Sequence, residues 1–112
     1  MTDFKFNKQT DRLFEAILAL KNIKEAEAFF RDLCTIDELK EMTDRWQIVD
    51  LLQQGKSYRE IASQVKASTT TVSRVAYWLN YGKGGYQQIY SRVKSHHGNS
   101  IPKGKGLRSY LA

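Results

Sequence analysis

Lys66, Ser68, Thr69, Thr70, Ser73, Arg74 and Tyr77 lie close together in the chain, and their side chains share a chemistry. The hydroxyls bond to phosphate or to either base edge, a threonine methyl fits a thymine methyl, and an arginine pairs with guanine through two parallel hydrogen bonds. Lysine reaches phosphate. Such groups read a nucleic acid only if a rigid frame turns them outward together, and the surrounding stretch YREIASQVKASTTTVSRVAY at 58–77 has the pattern of one. Counted as a single unit, it has apolar residues at the fourth, eighth, tenth, fifteenth and eighteenth places, namely Ile61, Val65, Ala67, Val72 and Val75. These are the positions at which two helices pack across a tight turn, and Ala62 at the fifth place is small enough for close approach. Ser68 or Thr69 caps the second helix. Lys66 departs from the pattern: its place usually needs positive φ, where glycine is free and lysine costs about 1 kcal/mol.

Charge supports the same chemistry independently. The net charge is +6, but all twelve acidic residues lie at or before Glu60. Up to that point ten basic residues face twelve acids, for −2; residues 61–112 carry eight basic residues and no acid, for +8. A uniformly positive half suits a polyanion, since each phosphate contacted releases condensed counterions.

The elements that must hold this frame read as helices throughout. No hairpin dipeptide joins alternating apolar runs, and the single proline is Pro102. Thr10 is a candidate N-cap for a first helix with Leu13, Phe14, Ile17 and Leu18 along one face, and Asn22 with Glu25 starts a second carrying Ala26, Phe29, Phe30 and Leu33. These two apolar faces are too large to cover each other. Thr35 and Glu38 form a capping box opening a helix of about 18 residues with a stripe of Ile36, Leu39, Met42, Trp46, Val49 and Leu52, closed by a left-handed Gly55. Ser57 and Glu60 form a second box that opens the 58–77 unit. Gly82-Lys83-Gly84-Gly85 then makes a hinge, followed by Tyr86, Ile89, Tyr90 and Val93 at the spacing of a short docking helix. The expected organisation is one helical domain over 1–94, comprising helices for dimerisation at 1–56, the two-helix unit at 57–80 and a final helix at 85–94. A basic flexible tail is expected over residues 95–112.

With the capped long helix before it, CTIDELKEMTDRWQIVDLLQQGKSYREIASQVKASTTTVSRVAYWL at 34–79 resembles the tryptophan repressor family, in its YerC/YecD branch. The resemblance rests on Thr35-x-Asp37-Glu38, Arg45, Ile48-Val49, Ser57-x-Arg59-Glu60 and Thr71-x-Ser73-Arg74. It implies an all-α fold of six helices with a helix-turn-helix, and an intertwined homodimer that would bury the faces of Phe14, Phe29 and Phe30. In that family tryptophan binds between the long helix and the recognition helix, its indole between two arginines. Arg45 and Arg74 match those positions and Thr35 matches a third ligand-contacting one. Two matching positions differ. Val75 stands where amino-acid-binding members have glycine and Trp78 where they have serine, so either could exclude an indole, and Trp78 could fill the space itself. Arg45, expected buried beside Trp46, and Arg74 are then left with three roles: holding another small ligand, contacting DNA, or pairing with acids such as Asp44 or Glu41.

Other classes are excluded. No apolar run approaches 18 residues, so no membrane span is expected. The start MTDFKFNKQT has no long apolar stretch and Cys34 stands alone, which leads to the expectation of a cytoplasmic protein without a disulfide. No nucleophile with a base, no paired carboxylates and no phosphate-cradling loop is present, so no enzyme is expected. His96 and His97 lack further ligands for a metal. The acids are expected on solvated faces beside Lys and Arg. The expectation is therefore a homodimeric, sequence-specific regulator binding double-stranded DNA, most simply a repressor reading a palindrome, with tryptophan or another small effector as its only candidate cofactor. A low-specificity nucleic-acid binder and a protein-interaction module remain as alternatives.

Overall fold

The structure, a computed structural model, describes residues 4–98, with side chains described as far as residue 93. Six helices and no strand occur among the described residues: α1 Lys8–Leu18, α2 Ile23–Leu33, α3 Ile36–Gln53, α4 Tyr58–Val65, α5 Thr69–Tyr81 and α6 Gly85–Gly98. They fall into two compact units, one reaching to Leu39 and one beginning at Lys40, so the boundary lies within α3.

In the N-terminal unit, local hydrogen bonds define the helix starts. Asn7 caps α1, its side chain accepting from the Thr10 amide at 3.0 Å while the Thr10 hydroxyl accepts from the Asn7 amide at 2.7 Å. The expected cap, Thr10, is thus the third helical residue of a box opened three positions earlier, because an Asn–Thr pair can make the same reciprocal bonds as Ser–Glu. Asn22 caps α2 as expected, at 2.9 Å from the Glu25 amide. Thr35 and Glu38 close their box at 2.8 and 3.1 Å. Packing is another matter, for neither α1 nor α2 contains a buried residue, and Leu18 and Ile23 are 84% and 77% exposed.

The C-terminal unit builds a core. Ile48, Val49 and Leu51 of α3, Ile61 and Val65 of α4, Val72, Val75 and Leu79 of α5 and Tyr90 of α6 are buried together, with Trp46, Ala62, Ala67 and Tyr86 packed against them. The apolar stripe expected along all of α3 is used only from Trp46 onward; Ile36 and Met42 are exposed. α3 ends on Gly55 at φ +81, with the Lys56 amide donating back to Leu51 O and the Gly55 amide to Leu52 O. Gly84, at φ +86, makes the turn into α6.

Asp50 corrects the expectation that every acid is solvated beside a cation. It is buried in α3, where Oδ1 accepts from the Tyr90 hydroxyl at 2.9 Å and Oδ2 from the Gln54 side-chain amide at 3.0 Å. Burial, with the hydrogen bond to Asp50 and its charge, pushes the Tyr90 phenol well above its ordinary value. This bond ties α6 to α3, and the Gln87 side chain adds a second tie by donating to Leu79 O at 2.9 Å. α6 continues to Gly98, past its expected end at 94. Of the tail expected over 95–112, residues 99–112 lie outside the described residues, as do the side chains of His96 and His97.

Candidate nucleic-acid interface

The corner between α4 and α5 is made by backbone geometry. Ser57 and Glu60 open α4 with bonds of 3.1 and 3.0 Å. Lys66 closes it in the left-handed conformation, φ 64 and ψ 46, its amide donating to Ala62 O, and the Ala67 amide reaches the same carbonyl at 3.0 Å. The departure from glycine therefore leaves the turn intact and puts a strained lysine at its apex. Ser68 caps α5 by accepting from the Thr71 amide at 3.0 Å, and its hydroxyl also lies 3.0 Å from that of Thr71.

This geometry divides α5 lengthwise. Val72, Val75, Ala76 and Leu79 face the core, with Ile61 and Val65 of α4 buried in the same cluster. Thr69, Thr70, Ser73, Arg74 and Tyr77 are all exposed, as are Lys66 and Ser68 beside them. The outer face of α5 thus presents three hydroxyls and a guanidinium to solvent, followed by an aromatic ledge in which the Tyr77 ring lies 5.1 Å from Trp78 and 5.2 Å from Tyr81. The side chains of Arg74 and Lys66 make no hydrogen bond or ion pair with any described residue.

Behind that face lies a cleft of about 640 Å³, lined by Arg45 and Glu41 of α3, Lys66, Arg74, Val75, Trp78 and Tyr86 among others. Arg45, Arg74, Val75 and Trp78, which the resemblance groups as a candidate effector pocket, line this one cleft. Thr35 belongs to the N-terminal unit, where its hydroxyl is engaged in capping α3. Two expectations need correction. The Arg45 side chain is 51% exposed rather than buried and pairs with Glu41 at 3.4 Å, because one helical turn brings the two charges onto the same face. Trp78 is 58% exposed and forms a wall of the cleft without filling it, since at its position on α5 it faces away from the buried stripe. Val75 is the bulky replacement that packs inward. Sequence reading missed Tyr86, Thr71 and the acids Glu41 and Asp44 as cleft residues. Asp44 is paired with Lys40 at 2.9 Å. The i, i+4 spacing of both acid–base pairs was the available signal.

Comparison with known proteins agrees with this geometry. The family model described as Trp repressor protein matches residues 8–94. The uncharacterized protein YerC of Bacillus subtilis is 42% identical over 87 residues, covering 78% of this chain and 84% of its own. A TrpR-like protein from Eubacterium eligens is 40% identical with a TM-score of 0.75, over 78% of this chain and 90% of the other. A putative Trp repressor from Staphylococcus aureus is 38% identical with a TM-score of 0.76, over 80% and 89% respectively.

Proposed function

The chain belongs to the Trp repressor protein family, whose helix-turn-helix members are DNA-binding regulators, and from this premise we propose that it is a sequence-specific transcription regulator that represses from a palindromic operator as a homodimer. The observation that carries the proposal is the lengthwise division of α5, which anchors one side in the core and leaves Thr69, Thr70, Ser73, Arg74 and Tyr77 exposed on the other. In this reading α5 enters the major groove, Thr70, Ser73 and Arg74 meet base edges, and Lys66, Ser68 and Tyr77 meet the backbone. The +8 charge of residues 61–112 supplies attraction regardless of sequence. The protein acts in the cytoplasm, where its DNA target is found.

The dimer is part of the proposal. α1 and α2 carry large apolar side chains and bury none of their residues, and a second copy interlocking through them supplies the missing cover. Two recognition helices related by a two-fold axis would then read half-sites about one DNA turn apart. The cleft behind α5 is the proposed effector site, with Arg45, Arg74, Val75 and Trp78 as its walls.

Selection of binding sites from random duplex DNA at fixed salt, with and without tryptophan, tests the proposal. The expected result is an enriched motif with two-fold symmetry. Enrichment of all duplexes alike, with steep salt dependence, would replace it by a low-specificity binder. Absence of any salt-dependent binding would leave a protein-interaction module.

A further inference from the structure

We infer that the ring cluster closing α5 stacks unpaired bases of a DNA strand, giving the protein a binding mode for single-stranded DNA beside its reading of duplexes. This mode goes beyond the duplex-reading role and rests on it in one respect, the choice of DNA as the strand. Tyr77, Trp78 and Tyr81 are each more than half exposed and stand outside the buried cluster that Val75 and Leu79 of the same helix join. Large rings left in water contribute little to the fold, and grouped on one surface they mark a place where something docks. Neither neighbour lies flat against the Tyr77 ring: the plane of Trp78 is inclined to it by 88° and that of Tyr81 by 48°. Ring faces are therefore left for a flat partner.

The charges around the rings select that partner. Arg74 shares the cleft behind α5 with Trp78, and Lys83 lines a second groove with the same ring. Neither cationic side chain makes a hydrogen bond or ion pair with a described residue. No acid follows Glu60 in the sequence. An apolar protein face seated on the ledge would strip water from these cations without replacing it, whereas a strand of phosphates pairs with them.

A duplex does not use ring faces. Its bases are stacked on one another and offer only their edges in the grooves, while an unpaired strand presents its flat faces to aromatic side chains. Tyr77 and Tyr81 are one helical turn apart, about 5.4 Å, against about 3.4 Å per stacked base, so the ledge takes one or two bases. Arg74 and Tyr77 belong both to this ledge and to the surface proposed to meet duplex DNA. That continuity assigns the strand as DNA.

The test uses the full chain and fluorescence anisotropy of labelled oligomers at one salt concentration. A thymidine oligomer of about ten nucleotides is compared with an abasic DNA oligomer of equal length, which has the same phosphates and no bases. The thymidine oligomer should bind about tenfold tighter or more, as expected for one or two stacked bases. Tyr81→Ala, at an exposed position outside the core, should lose about fivefold or more on the thymidine oligomer and leave the abasic oligomer and the duplex unchanged; Tyr81→Phe, which keeps the ring, should bind as wild type. Equal affinity for thymidine and abasic oligomers would overturn stacking on the ledge, as would a Tyr81→Ala loss that is absent or equal on all three nucleic acids. A uridine RNA oligomer binding as tightly as thymidine would overturn the assignment to DNA. Thymidine binding with the expected Tyr81 dependence but no affinity for any duplex would remove the duplex-reading role and leave the ledge standing.

Discussion

The two units of this chain are built from similar amphipathic helices and end in opposite states. From Ile48 onward, helices α3 to α6 bury a continuous cluster of Ile, Val, Leu and Tyr side chains. α1 and α2 are comparably rich in aromatic and aliphatic residues for their length and bury none of them. Helical propensity and capping are satisfied in both units, with Asn7, Asn22 and Thr35 as well bonded as Ser57 and Ser68. What differs is the presence of a packing partner within the same chain. The half bearing α5 finds its packing partners within one chain, and the apolar faces of α1 and α2 are left uncovered, the feature on which the proposed dimer rests.

Four perturbations would break or sharpen that contrast. The largest effect is expected at Ile61, fully buried where α4 meets α5: Ile61→Ala should cost about 3 kcal/mol, read from chemical denaturation. If it costs less than Phe14→Ala at micromolar protein, the C-terminal unit is not the self-sufficient one. Phe14→Asp should act differently, weakening self-association by tenfold or more, about 2 kcal/mol of lost apolar burial, in sedimentation equilibrium. An unchanged association constant would remove the second copy from α1.

Tyr90→Phe should cost about 1 to 2 kcal/mol, because it leaves one oxygen of buried Asp50 without its donor. The same bond has a pH signature. Burial and the bond to Asp50 raise the folded-state pKa of Tyr90 above the ordinary phenol value of 10.0, so the folded protein holds this proton more tightly than the unfolded chain. Its contribution is complete below about pH 10 and is lost as pH rises toward the folded-state value. Phe at position 90 should flatten that alkaline decline in a plot of stability against pH. The smallest of the four is Ser57→Ala, about 1 kcal/mol from loss of the cap on α4, seen as a modest drop in Tm.

Features settled by near neighbours were legible in the sequence. The Thr35–Glu38 and Ser57–Glu60 boxes, the left-handed Gly55 and the positive φ of Lys66 depend on residues within one turn of each other, and each is found where its spacing places it. The inward positions of the α4–α5 unit were equally plain, since apolar side chains at those intervals leave little choice of face. Asp50 was not legible, because its partner Tyr90 is 40 residues away and nothing local distinguishes it from the solvated acids of α3. Arg45 was misread as buried because its neighbour Trp46 packs inward, whereas one residue along a helix is a rotation of about 100°. The cleft was legible only in its two arginines and the bulky replacements beside them. Its remaining walls are brought in by turns and helix packing, which residue spacing does not encode.

The most direct test of the central claim, that α5 reads base edges through its exposed face, is the affinity of wild type and Arg74→Ala for a selected site and for random duplex at one salt concentration. Base readout by Arg74 predicts a loss of about 1 to 3 kcal/mol on the selected site and much less on random DNA. An equal loss on both would make Arg74 a phosphate contact, and no loss on either would contradict the claim that this face of α5 meets DNA.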